Sequence, residues 1–116
     1  MDTTVRTTTY DGVPVVHVGG ELDLHGVDDV RRELVALVHE EHPEVVVDLT
    51  RVTFIDSTGL GVLVGARKEI HQRGGRLTLV IDGEGLLKTL RISSLTRLFT
   101  ICDSLEKATA GAGSGV

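Results

Sequence analysis

The segment Glu44-Val45-Val46-Val47-Asp48-Leu49 constrains the fold more than any other stretch of this chain. It is short, apolar and β-branched, which is the pattern of a strand buried on both faces. Helices must supply that cover, and the flanking sequence contains them. Upstream, Val27, Val30, Leu34, Leu37 and Val38 fall on one helix face, while Arg31, Arg32, Glu33 and Glu40 point away from it. Asp28 and Asp29 sit in the first turn, where the helix dipole favours carboxylates, and Pro43 closes the segment. Downstream, beyond Thr50-Arg51-Val52-Thr53-Phe54-Ile55, a second helical spacing (Leu60, Leu63, Val64, Ile70) ends at the cap signal Gly74-Gly75.

The remaining segments complete an alternation. Thr3 to Thr9 and Val13 to Val18 flank Asp11-Gly12, a strong turn signal, so the chain opens with a β-hairpin. Arg76 to Ile81 reads as a strand, Leu86 to Ile92 as a third helix and Phe99 to Cys102 as a last short strand. Asp103-Ser104-Leu105-Glu106 reads as the capping-box start of a short fourth helix. Gly111 to Val116 reads as a flexible tail, which leaves residues 1–110 as a single domain. Strands alternating with helices after a hairpin predict an α/β fold: a mixed sheet, parallel pairs joined through helical crossovers, and about four helices.

Composition narrows the function. A chain of 116 residues, 41% of them hydrophobic, buries enough surface to fold without a disulfide or a metal. The lone Cys102 makes no internal bridge, reads as a small buried apolar residue and suits a reducing compartment. Met1-Asp2-Thr3-Thr4 lacks the basic start of a signal peptide, and no apolar run approaches the roughly 20 residues that span a bilayer. A cytoplasmic protein with no membrane partner is expected. A net charge of −5 and only 3% aromatic residues argue against direct nucleic-acid binding, which needs cations and stacking platforms.

The familiar cofactor and catalytic motifs fail on spacing. Gly59-Leu60-Gly61 lacks a third glycine at Val64, since Gly65 comes one residue late for a dinucleotide fingerprint. No Gly-Lys-Ser or Gly-Lys-Thr run forms a phosphate loop, and Ser57 lacks the preceding glycine of a nucleophile elbow. His39-Glu40-Glu41-His42 brings its second histidine one residue early for a zinc helix, so it reads as a solvated helix end. His17, His25 and His71 are scattered and read as satisfied surface or edge positions. No cofactor, metal or catalytic base is expected. What remains is Asp56-Ser57-Thr58-Gly59-Leu60-Gly61, where an extended segment turns into a helix. Ser57 reads as its N-cap, with Gly59, Gly61 and Gly65 admitting close approach to the sheet at about 1 kcal/mol each relative to alanine.

With Gly20-Glu21-Leu22-Asp23, Val46-Val47-Asp48-Leu49, Phe54-Ile55-Asp56-Ser57-Thr58-Gly59-Leu60-Gly61-Val62-Leu63 and Gly74-Gly75 in this order and spacing, the chain resembles the anti-sigma factor antagonists, stand-alone STAS domains of bacteria. The resemblance covers nearly the whole ordered chain and implies the STAS fold and no enzymatic activity. It implies that Ser57 is phosphorylated by an anti-sigma factor that is also a serine protein kinase, and dephosphorylated by a serine phosphatase. It further implies partner contacts at Asp23, Asp56, Ser57, Thr58, Gly59 and Leu60. The unphosphorylated form would bind the anti-sigma factor and release the sigma factor. Two departures stand out: Ser94 precedes Leu95 where the family commonly has a glycine, which bears on loop geometry and partner choice, and His25-Gly26 replaces a small hydroxyl residue at the first helix start. Two other readings of the same family are a small-ligand domain, holding a nucleotide or lipid near that helix N-terminus, and a scaffold subunit of a stress-signalling assembly.

Overall fold

Two strands form the predicted hairpin: β1 (Thr4–Tyr10) and β2 (Val13–Leu22) pair antiparallel, with Tyr10 opposite Val13. The turn between them needs two residues in the left-handed region, and Asp11 (φ 50°) and Gly12 (φ 80°) supply both. The computed structural model describes residues 2–40 and 42–113 of the chain. After the hairpin come α1 (Val27–His39), β3 (Glu44–Ile55), α2 (Ser57–Gln72), β4 (Arg76–Val80), α3 (Glu84–Ile92), a 3-10 turn at Leu95–Arg97, β5 (Thr100–Cys102) and α4 (Leu105–Gly113). The strands lie in chain order in one mixed sheet, parallel from β2 through β5.

β3 is the central strand, and its apolar run is covered on both faces. Val45, Val47 and Leu49 join Val16 and Val18 of β2, Leu34 of α1 and Leu63 of α2 in the main core. Val46 points the other way and packs with Val13, Val15, Val80 and Ala108 of α4. Successive strand residues alternate faces, so an unbroken apolar run requires a layer on each side. All five α1 positions picked out by the helical period are buried. α2 closes in a Schellman motif: Gly74 (φ 80°) donates its N–H to the His71 carbonyl at 3.0 Å, and Gly75 donates to the Ile70 carbonyl at 2.9 Å. Among the described residues, no helix is long and apolar enough to cross a membrane.

Tertiary contacts move several boundaries. β2 does not stop at Val18 but continues to Leu22, pairing Gly20 with Val52, Glu21 with Phe54 and Leu22 with Ile55 through two register shifts. Available backbone partners on β3 override the poor strand propensity of Gly19-Gly20. The predicted capping box of Asp103 and Glu106 gives way to a cap one residue later, because α4 starts at Leu105. Ser104 Oγ accepts the Lys107 N–H at 3.2 Å, and Asp103 pairs instead with the Lys107 ammonium at 2.8 Å. Helix α4 also runs on to Gly113, three residues into the segment assigned to the tail, because a helix anchored by the buried Ala108 and Thr109 propagates through Ala110 and Ala112. Residues 114–116 of that tail lie outside the described residues. Cys102 is half-buried at the edge of the second core rather than inside it, since β5 borders the sheet.

Ser94 holds φ 60° and ψ 19° just after α3. The loop thus keeps a conformation suited to glycine, with a Cβ present.

Candidate functional site

The strand register builds the site. Leu22 pairs with Ile55 at the ends of parallel strands, so the next residues, Asp23 and Asp56, leave the sheet side by side at its carboxyl edge. The Leu22 carbonyl accepts the Asp56 N–H at 3.3 Å and ties the two exits together.

Asp56, and not Ser57 as the sequence suggested, is the N-cap of α2. Its backbone is extended (φ −104°, ψ −176°), and its side chain accepts the Gly59 N–H at 3.0 Å. Aspartate and serine cap equally well, and the choice falls to the residue still extended as it leaves β3. Ser57 becomes the first helical residue, exposed and released from capping. Asp23 makes a similar turn. Its Oδ1 accepts the N–H groups of His25 (3.1 Å) and Gly26 (3.2 Å), and Gly26 caps α1. A Cβ there would meet the Thr3 side chain, which would have to move.

The three glycines of α2 differ in their surroundings. A Cβ on Gly59 would lie 2.5 Å from the Leu22 carbonyl oxygen and 2.8 Å from Leu22 Cγ, so only glycine lets the first turn sit against the end of β2. Gly61 and Gly65 do not approach the sheet, and nothing among the described residues lies within 4 Å of where their Cβ atoms would be. Their faces are turned outward toward a cleft of about 630 Å³ between α1 and α2, which Ser57 and Thr58 also line.

The six residues implied by the resemblance therefore share one end of the sheet but differ in access. Ser57 is exposed, Asp23, Asp56 and Thr58 are half-buried, Gly59 is buried, and Leu60 packs against the main core. Two residues that sequence reasoning missed flank them: Leu24 is 65% and Phe54 51% exposed. An apolar residue among Thr50, Arg51 and Thr53 was the available signal for Phe54. The helix N-terminus adds its dipole and free N–H groups, a setting that favours an anion on Ser57.

The histidines lie elsewhere. His17 Nδ1 meets Asp48 Oδ2 at 2.9 Å, and its Nε2 meets Thr8 Oγ1 at 2.8 Å, so both ring nitrogens have partners. Asp48 Oδ1 accepts the Thr50 N–H and hydroxyl at 3.0 and 2.7 Å. Burial pushes the Asp48 carboxyl up, but the bonds from Thr50 and His17, with the charge of His17, outweigh it and hold its pKa below the usual range. His42 contacts Glu40 at 3.1 Å at the end of α1.

A STAS domain is recognised over residues 4–108. The anti-sigma-B factor antagonist of Staphylococcus epidermidis is 33% identical over 106 residues, covering 91% of this chain and 98% of that protein. An anti-sigma factor antagonist structure from Mycobacterium paratuberculosis superposes with a TM-score of 0.86 at 27% identity, covering 94% of this chain and 92% of that one. The unphosphorylated form of the anti-sigma factor antagonist SpoIIAA shares the fold, with a TM-score of 0.75 at 20% identity over 97% of this chain and all (100%) of that one. The chain belongs to the STAS-domain family of anti-sigma factor antagonists.

Proposed function

We propose that this chain is a phosphorylation-switched protein-binding module: unphosphorylated, it binds an anti-sigma factor that is also a serine kinase, and so releases a sigma factor. The observation that carries this reading is the exposed Ser57 hydroxyl, freed from capping by Asp56, at the end of the sheet where β2 and β3 run out and Leu24 and Phe54 are exposed. A small exposed hydroxyl packs readily against a partner. Transfer of the ATP γ-phosphoryl group to Ser57 Oγ adds roughly −1.5 to −2 charges at pH 7. At a helix N-terminus that charge is tolerated, so the domain stays folded. At the partner surface it must be desolvated and lies beside Asp23 and Asp56, so binding is lost. A serine phosphatase removes the group and restores the bound state. The chain is then the substrate of one enzyme and of its opponent, and performs no chemical step itself.

The test is incubation with the anti-sigma factor kinase and ATP, comparing wild type with Ser57→Ala by mass spectrometry. Phosphate on the wild type alone supports the assignment, whereas equal uptake by both would refute it. By calorimetry Ser57→Asp binds the anti-sigma factor at least tenfold more weakly, and unchanged affinity would count against the switch.

A further inference from the structure

The cleft between α1 and α2 has one wall that is a single row of α2: Ser57, Gly61, Gly65 and Glu69, each four residues after the last. Such positions stack along one helix face. The facing row on α1 is Arg31, Val35 and His39, and the buried Leu34, Val38 and Val62 form an apolar floor. The fold itself gives no reason for Gly61 and Gly65. Both are exposed, neither has an atom of the described chain near its missing Cβ, and neither has a positive φ. Glycine is among the poorest helix formers, so a bare face in mid-helix makes physical sense where another backbone approaches from outside. Val35, 46% exposed on the opposite wall, adds apolar surface that the chain leaves uncovered.

We propose that this cleft receives an acidic amphipathic helix of the anti-sigma factor, laid lengthwise between the two rows. The proposal rests on the function argued above and names the contact that Ser57 controls. Among the described residues lining the cleft, two fixed cations, Arg31 and Arg73, stand with one carboxylate, Glu69, in a chain whose net charge is −5. Arg31 pairs with Asp28, yet the two side chains are 50% and 73% exposed, and so open an ion pair exchanges readily for a partner's carboxylate. Arg31 stands on the α1 row of the cleft, so the partner helix carries a carboxylate against it, with small apolar residues against the glycines. Ser57 heads the glycine row. A phosphate there sets its charge at the end of the cleft, where it repels an acidic helix, so one geometry accounts for both the partner and its release.

The test uses the full chain, the anti-sigma factor kinase and calorimetry. Gly65→Leu fills the cleft from an exposed site while removing a weak helix former, and thermal melting verifies that it folds. Arg31→Glu reverses a rim charge at an exposed site. Each variant is expected to weaken binding at least tenfold, with the melting temperature of Gly65→Leu not lowered and the Arg31→Glu defect shrinking at high salt. Wild-type affinity in both variants, with Ser57→Asp still defective, would overturn the cleft as the dock and leave the Ser57 reading standing. A loss with Gly65→Leu alone would refute the acidic helix, and a loss with Arg31→Glu alone would refute insertion into the cleft. If the wild type neither binds the anti-sigma factor nor takes phosphate, the function itself fails and the proposal falls with it. A wild-type dimer in sedimentation that Gly65→Leu dissolves would assign the cleft to a second copy. Saturable dodecanoate binding that Gly65→Leu abolishes, with anti-sigma binding intact, would assign it to a lipid. Either result overturns the proposal.

Discussion

Replacing Ser94 with glycine raises the stability of this domain although it removes atoms and adds no contact. Ser94 follows the C-cap of α3 at φ 60° and ψ 19°, and its N–H donates to the Arg91 carbonyl at 3.0 Å, so the left-handed turn is what closes the helix end. In that region the Cβ of an L-residue crowds the following carbonyl and costs roughly 1–2 kcal/mol. Glycine escapes the clash but loses more backbone freedom on folding, roughly 0.5–1 kcal/mol. The balance favours glycine by about 0.5–1 kcal/mol, which corresponds to about 2–4 °C in melting temperature for a domain of this size. Ser94→Ala separates the cause, because it keeps the Cβ and the serine side chain makes no capping bond. It is expected within about 0.5 kcal/mol of wild type. Thermal melting of the three proteins by circular dichroism at pH 7 is sufficient. Ser94→Gly melting at or below wild type, or Ser94→Ala matching its gain, would refute the reasoning.

Gly59→Ala and Gly61→Ala move stability in opposite directions although they lie two residues apart. The first forces a Cβ to 2.5 Å from a backbone oxygen and costs about 1–3 kcal/mol. The second enters open space and gains up to about 1 kcal/mol of helix propensity. Urea denaturation of both checks the sign, and like signs would contradict the geometry. Asp48 links stability to pH. Its pKa is lowered in the folded state, so its contribution is present above the unfolded value near 3.9 and is lost as pH falls through the folded value. Asp48→Asn is therefore less stable at pH 7 by about 1–2 kcal/mol and loses less than wild type on acidification below about pH 4. Denaturation curves that run parallel across that range would exclude this role.

Local spacing made much of the fold legible. The uninterrupted valines of β3 demanded a layer on each face, the five apolar positions of α1 fixed its buried side, and Asp11-Gly12 and Gly74-Gly75 marked turns that need left-handed residues. Each signal belongs to one element, because side-chain periodicity and turn chemistry are set by residues a few positions apart. The candidate site was legible only as a segment. The resemblance pointed to Ser57, yet whether Ser57 or Asp56 caps α2 depended on where β3 stops pairing with β2, a contact between residues more than 30 positions apart.

The sequence alone therefore determined the order and kind of the elements, the two-layer burial of the central strand, and the segment that holds the serine. The tertiary structure alone decided how far β2 extends, which aspartate caps the helix, that Asp23 and Asp56 emerge together, and that Leu24 and Phe54 stay exposed. The glycines of α2 express the division. Gly59 and Gly61 are equivalent in the sequence motif, but one lies against Leu22 and the other opens onto a cleft formed with α1. What a residue meets across space depends on how separate elements pack, and no periodicity within one element encodes it.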